Sequence, residues 1–329
     1  MNPPIAWPRF AQIVRDHSRF LLTTHIRPDC DAIGSTMGMA RILERLGKQV
    51  DLVAAFDLPR PMRFLDPEGR FKRIGRDVQP ADLGHVEVLM VLDTSAWAQL
   101  GEMGDLIRST RAAKVVLDHH VTSDDLGAEL FKDTSAEATG RLGVEAARAL
   151  GVPLTPDIAV PLFAALATDT GWFRFASARS DTYRLAADLI DAGAAPHALY
   201  KDLYENDSIA RLRLIGRAMA RVEMEREGRL IHTFISQDDF RAAGAAPSDS
   251  EDIINMTLGV GGTQVAVILV EQATGGFKVS FRSRCDLDCS RVAAQFGGGG
   301  HRAAAGAFVP EPLPVAQPRV LDAVRAAMR

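Results

Sequence analysis

The feature that most constrains the fold is a series of short apolar runs, each ending in a polar residue, with helical patterns between them. Phe20-Leu21-Leu22, Val88 to Leu92 and Val115-Val116-Leu117 are such runs, while Gly34–Leu46 and Ala136–Leu150 carry helical spacing. Strands alternating with helices predict a parallel sheet covered on both faces. From Asp181 to Glu225 the pattern is almost wholly helical, with Leu203, Ile209, Leu212, Ile215, Met219 and Val222 at helical intervals. A new strand and helix series begins at Leu230, continues through Thr263–Val270 and Phe277–Phe281, and ends in a helix over Arg319–Met328. The expected fold is therefore α/β. An N-terminal parallel-sheet domain (residues 1–208) is joined by a connecting helix (209–228) to a smaller C-terminal α/β domain with a mixed sheet (229–329).

Two domains also suit a chain of 329 residues with 47% hydrophobic side chains. The longest apolar run, Ile158–Ala167, is ten residues, too short to span a bilayer. Pro3, Pro4 and Pro8 beside Arg9, Arg15 and Asp16 do not form a secretory leader, and Cys30, Cys285 and Cys289 give neither a disulfide framework nor a zinc ribbon. A cytoplasmic location is the expectation. The net charge of −4 offers no bulk field for gathering long DNA or RNA. Residues 229–329 are balanced at ten basic and ten acidic side chains, so the acidic excess lies in the first part.

That part carries the chemistry. His25, Asp29 and Asp31 fall within seven residues directly after the strand Arg19–Thr24, in a loop stiffened by Pro28. Gly34 and Ser35 are expected to open a helix there, with amides able to hold an anion. Read alone, the segment is equally an acidic loop with a helix cap at Asp31. Asp93 ends the strand Glu87–Leu92, and Asp118-His119-His120 ends the strand Lys114–Leu117. Parallel sheets bind ligands at the carboxyl ends of their strands, and collecting such charges without a cation costs several kcal/mol. Asp169 closes the apolar helix Ile158–Ala167, where an acid opposes the helix dipole unless a cation lies near. In the second domain, Gly297 to Gly300 precede His301, Arg302 and a small-residue run, with Phe281-Arg282-Ser283-Arg284 on the preceding strand. Glycine amides and arginines suit a phosphate, whereas a glycine run alone also reads as a linker.

As a set, these residues resemble the DHH phosphoesterase family from about Phe20 to Val309. His25-x-x-x-Asp29-x-Asp31 resembles its first motif, Asp93 the second, Asp118-His119-His120 the third and Asp169 the fourth. Gly297–Gly300 with His301, and Phe281–Arg284, resemble the DHH-associated C-terminal domain of the oligoribonuclease (nanoRNase)/pAp-phosphatase branch. Cys30 stands where the family usually has glycine, which narrows the loop or exposes it to oxidation. The resemblance implies two metal sites: His25, Asp29 and Asp93 at one, Asp31, Asp93, His119 and Asp169 at the other. Mn²⁺ is the expected ion, with Mg²⁺ or Co²⁺ as substitutes. Asp118 is expected to orient the histidines, and His120 to contact the phosphate or assist the leaving group. Arg282, Ser283, Gly299, Gly300, His301 and Arg302 are the expected substrate contacts. The implied activity is hydrolysis of short RNA or DNA oligonucleotides to mononucleotides, and of 3′-phosphoadenosine 5′-phosphate (pAp) to AMP. Cyclic or linear dinucleotide hydrolysis is the alternative, and an inert nucleotide-binding module the third reading. Neither long duplexes nor membranes are expected partners, and a homodimer is compatible with the sequence.

Overall fold

The computed structural model describes residues 5–121 and 123–328. It divides into two compact units, one up to Asn206 and one from Asp207.

The first unit contains α1 (Trp7–Asp16), β1 (Arg19–Thr23), α2 (Cys30–Arg45), β2 (Gln49–Ala54), β3 (Lys72–Arg73), β4 (Val88–Leu92), α3 (Met103–Ser109), β5 (Ala113–Asp118), β6 (Glu129–Lys132), α4 (Thr139–Ala149), α5 (Pro156–Asp169), α6 (Ser180–Asp191) and α7 (Pro196–Tyr204). Its six strands lie in the order β3-β2-β1-β4-β5-β6, with every pairing parallel. The chain builds outward from β1 through β2 and β3, then returns to the other side of β1 for β4, β5 and β6. The crevice beyond the carboxyl ends of β1 and β4 is thus the topological switch point, where ligands of open α/β sheets bind. Strand β4 is buried along its whole length, as a strand covered on both faces must be. Alternate residues serve opposite cores: Val88, Met90 and Leu92 one, Leu89 and Val91 the other.

Helix α2 begins at Cys30, capped by Asp29, whose Oδ1 accepts from the Ala32 amide at 3.0 Å. This moves the alternative reading's cap from Asp31 to Asp29 and corrects the expected opening at Gly34 and Ser35. Both residues are buried a full turn into the helix, so their amides are not free for an anion. The glycine has a packing role instead. A Cβ on Gly34 would lie 2.3 Å from the Pro161 carbonyl of α5, and one on Gly140 of α4 would lie 2.7 Å from the Ala165 side chain. Bare backbone at these points lets α2 and α4 close onto α5, which carries Asp169.

The second unit contains α8 (Ile209–Met219), β7 (Glu223–Glu225), β8 (Leu230–Ile235), α9 (Gln237–Ala243), α10 (Ile253–Thr257), β9 (Val265–Glu271), β10 (Phe277–Ser283), α11 (Cys289–Ala294), β11 (Gly299–Gly300), β12 (Ala304–Val309) and α12 (Leu313–Ala327). Its sheet runs β11-β12-β10-β9-β8-β7 and is mixed, with β8 and β9 parallel and the other pairs antiparallel. The segment read as a connecting helix, 209–228, is helical only to Met219 and then forms β7. Leu214, Ile215 and Ala218 of α8 are buried with Ile231, Ile268 and Phe240 in a core of this unit. The helix is part of the second fold rather than a spacer. Helix α12 starts at Leu313 and runs through Pro318, earlier than the expected start at Arg319.

Candidate metal centre

Each strand end at the switch point contributes. His25 follows β1, Asp93 follows β4, and His119 and His120 follow β5, while α2 brings Asp31 and the last residue of α5 is Asp169. Asp93 has a left-handed backbone, φ 61°, a conformation that costs of order 1–3 kcal/mol and concentrates at functional sites. Its amide still donates to the Leu117 carbonyl at 2.9 Å, so the sheet ladder holds the strained residue in place.

The carboxylate of Asp93 faces two ways. Oδ2 lies 3.4 Å from His25 Nε2. Oδ1 lies 3.6 Å from His119 Nε2 and 3.7 Å from His120 Nδ1, and accepts from the Thr139 hydroxyl at 2.8 Å. His119 Nε2 is also 3.7 Å from Asp31 Oδ2 and 3.5 Å from Asp169 Oδ2. These separations are too long for good hydrogen bonds. They match donor atoms arranged around a common cation with bonds of roughly 2.1 Å. Ligand atoms of His25, Asp29 and Asp93 form one group within 4.8 Å of one another, and Asp31, His119 and Asp169 form another. A third such group, Asp93, His119 and His120, overlaps both.

The donor set passes a test for a divalent cation. Asp93 Oδ2 is buried with no hydrogen-bond partner among the described residues, an arrangement costing several kcal/mol for a charged oxygen unless a cation meets it. Burial, and then repulsion from neighbouring carboxylates, raises Asp31 and Asp93 well above the ordinary carboxylate range. Asp169 is raised too, again chiefly by burial. Desolvation lowers His25, favouring the neutral imidazole that can ligate. Without a cation, carboxylates raised in this way stabilise the fold at low pH, and that contribution is lost as pH rises through their folded values. A bound cation reverses the loss by favouring the ionised form. We expect the gain in melting temperature on adding a divalent cation to chelator-treated protein to grow from acidic to neutral pH. A cation effect that is absent, or larger in acid, would contradict the assignment; calorimetry at several pH values reads it.

The surrounding groups differ from the expected arrangement in three respects. Asp118 does not orient both histidines. It accepts from His120 Nδ1 at 2.9 Å and from the His120 amide at 3.0 Å, from the Ser95 hydroxyl at 2.7 Å, and pairs with Lys132 at 2.9 Å. These bonds outweigh its burial and hold it well below the ordinary carboxylate range. The hydrogen bond to Asp118 raises His120 to about 9. His119 instead has Nδ1 3.1 Å from the Ala136 carbonyl, which leaves Nε2 facing the carboxylates. Second, Cys30 is 3% exposed, and burial pushes its thiol up to about 12. It is therefore an inert core residue rather than an oxidation-prone one. Third, Thr139 and Gly140 were not anticipated. Their amides, at the start of α4, donate to Asp31 Oδ2 at 2.7 Å and Oδ1 at 2.8 Å. A helix N-terminus thus fixes Asp31 and offsets part of its burial. The available signal was a Thr-Gly pair opening the helical pattern.

In the second unit the glycine run is part of a hairpin, not a linker. Gly299 and Gly300 pair with Gly306 and Ala305, and His301 and Ala304 exchange backbone bonds of 2.8 and 3.2 Å across the turn. A Cβ on Gly298 would lie 2.2 Å from the Gly306 carbonyl, so close strand approach demands glycine. His301 and Arg302 are exposed at the tip, and Arg302 Nη2 lies 2.8 Å from Asp286 Oδ1. Ser283 is buried, with its hydroxyl accepting from the Cys285 amide at 3.2 Å, so it serves the local turn. Arg282, half-buried, donates from Nη1 to its neighbour's carbonyl, Phe281 O, at 3.1 Å.

Residues 19–166 match the N-terminal domain model of the DHH family, and residues 227–329 match the DHHA1 domain. The chain is 33% identical over 305 residues to a bifunctional oligoribonuclease and PAP phosphatase, NrnA, of Thermus thermophilus, covering 92% of this chain and 88% of the relative. It is 25% identical over 297 residues to the NrnA of Bacillus subtilis, covering 89% and 90%. An exopolyphosphatase-related protein from Bacteroides fragilis has the same fold, with a TM-score of 0.84 at 21% identity over 99% of this chain and 97% of the other. Parallel sheet, strand-end acids and histidines, and both domain matches agree: the chain belongs to the DHH family of phosphoesterases.

Proposed function

We propose that this protein is a two-metal, Mn²⁺-dependent hydrolase that releases mononucleotides from short oligoribonucleotides and converts pAp to AMP. The observation that carries the metal reading is the Asp93 carboxylate, whose two oxygens face different donor groups. The activities for which the NrnA relatives are named support the substrate class. His25, Asp29 and Asp93 are assigned to one ion, and Asp31, Asp93, His119 and Asp169 to the other. When bound, such ions activate a water as nucleophile and neutralise charge on the phosphoryl group.

The chain's own groups supply the rest. Thr139 and Gly140 hold Asp31, the Ala136 carbonyl orients His119, and Asp118 holds His120 by Nδ1 and favours its protonated form. Protonated His120 donates to a phosphoryl or leaving-group oxygen. In the second unit, Arg282, Gly299, Gly300, His301 and Arg302 are assigned to the substrate's phosphates. Ser283 is assigned a supporting role in their turn.

Incubation with Mn²⁺ and a panel of pAp, di- to pentanucleotides, 24-mers, cyclic dinucleotides and pyrophosphate, read by mass spectrometry, tests the substrate class. We expect turnover to fall as the substrate lengthens, because the acidic chain has no extended basic track. Equal kcat/KM on dinucleotides and 24-mers would defeat the short-substrate reading. Exclusive turnover of pyrophosphate or cyclic dinucleotides would replace it.

Arg302→Ala separates recognition from chemistry. Its pairing with exposed Asp286 is a surface contact of little stability. The variant should retain melting temperature and metal content while kcat/KM on a dinucleotide falls roughly ten- to a hundredfold, the value of a charge-assisted phosphate contact. Unchanged kinetics would remove Arg302 from the binding site.

A further inference from the structure

A strained aromatic turn follows Asp169 directly. Gly171, Trp172 and Phe173 all have left-handed backbones, with φ of 57°, 58° and 63°. For bulky side chains this conformation is an outlier that the surroundings must enforce. Thr170, fully buried, is the staple. Its carbonyl accepts from the amides of Arg174 at 3.1 Å and Phe175 at 3.0 Å, and its hydroxyl from the Phe173 amide at 3.1 Å. Trp172 packs edge-on against Phe163, Tyr200 and Tyr204. Phe173 packs between Phe163 and Tyr183.

Two of the three aromatic side chains thus anchor the turn, and the third is left outside. Phe175 is 55% exposed, and a Cβ on Gly171 would lie 2.4 to 2.8 Å from three atoms of its ring. The ring is therefore seated on bare glycine backbone two residues beyond Asp169, a separation of at most about 7.6 Å along the Cα trace. Beside it Arg174, also exposed, is tethered by Nε to the Gly171 carbonyl at 2.7 Å and makes no ion pair among the described residues. Burying Phe175 would be the ordinary use of phenylalanine. Here the backbone is strained and the ring is kept in solvent next to the metal centre.

We propose that Phe175 is the stacking platform for the nucleobase adjoining the scissile phosphate, with Arg174 supplying positive charge at its edge. An aromatic face accepts any base, so the platform selects nucleotides over other phosphate esters without reading sequence. The inference rests on the phosphoesterase reading above.

The test compares wild type, Phe175→Ala, Phe175→Leu and Phe175→Trp in the full-length metal-loaded protein. Substrates are a 5′-phosphorylated dinucleotide and two analogues, each lacking one base. Phe175→Ala and Phe175→Leu should lower kcat/KM on the dinucleotide about 5- to 100-fold, while Phe175→Trp retains it. On one abasic analogue, the alanine variant and wild type should agree within about twofold. Melting temperature and bound metal should be unchanged. Normal alanine-variant kinetics on the dinucleotide would overturn the platform, as would an equal loss on all three substrates. Wild-type protein that cleaves none of them would instead defeat the phosphoesterase reading.

Discussion

Asp93→Ala should abolish hydrolysis, losing more than the roughly 10²–10³-fold that removal of a single preorganised donor costs. The expectation follows from geometry: His25 approaches one oxygen of Asp93 and His119 the other. Removing the carboxylate therefore weakens both donor groups, whereas Asp169→Ala touches one. Asp93→Asn keeps the shape and discards the charge, and should be nearly as damaging. Chelation of wild type should produce the same loss, with Mn²⁺ restoring activity to wild type and not to Asp93→Ala. Asn and Asp both tolerate the left-handed backbone at this position. A large loss in Asp93→Asn is thus electrostatic rather than conformational, and its unchanged melting temperature after chelation would confirm that. Two bound metals with near-normal kcat in Asp93→Ala would refute the shared-ligand assignment; metal analysis and steady-state kinetics on one preparation decide it.

The positions proposed as ligands were legible because parallel strands are short and apolar, so an Asp or His directly after one stands out against its run. Val88 to Leu92 followed by Asp93 is such a case, and Val115 to Leu117 followed by Asp118-His119-His120 is another. What holds those side chains was less visible. The amides of Thr139 and Gly140 fix Asp31, and the carbonyl of Ala136 fixes His119. Backbone groups have no residue signature, and their arrival depends on where α4 begins. Gly34 illustrates the opposite difficulty. Next to His25, Asp29 and Asp31 it reads as part of an anion loop, yet its lack of a side chain is explained by a carbonyl of α5 distant in sequence. Likewise β2 and β6, whose exposed polar positions dilute the apolar signal, are recognisable mainly through their parallel partners.

His120→Gln should lower kcat on a dinucleotide by about 10²–10⁴-fold, the range for a general acid, while leaving bound metal intact. His120 Nδ1 is held by Asp118 at 2.9 Å and lies 3.7 Å from Asp93 Oδ1, and its half-exposed ring stands where a leaving group could meet it. Its affinity for a proton is raised to about 9 by Asp118, and cations bound at Asp93 would oppose that rise. Asp118 is thus a positioning residue: its buried carboxylate, itself held by Ser95 and Lys132, sets both the direction and the charge of the imidazole. The nature of the leaving group separates proton donation from simple phosphate binding. A ribose oxygen needs a proton as its bond to phosphorus breaks, whereas p-nitrophenolate leaves as a stable anion. The loss in His120→Gln should therefore be large on the dinucleotide and small on bis-p-nitrophenyl phosphate. Asp118→Asn should follow the same pattern more weakly, since it leaves the imidazole present but less firmly held and less readily protonated. Equal losses on both esters would restrict His120 to holding the phosphate, and wild-type kcat on both would remove it from the reaction.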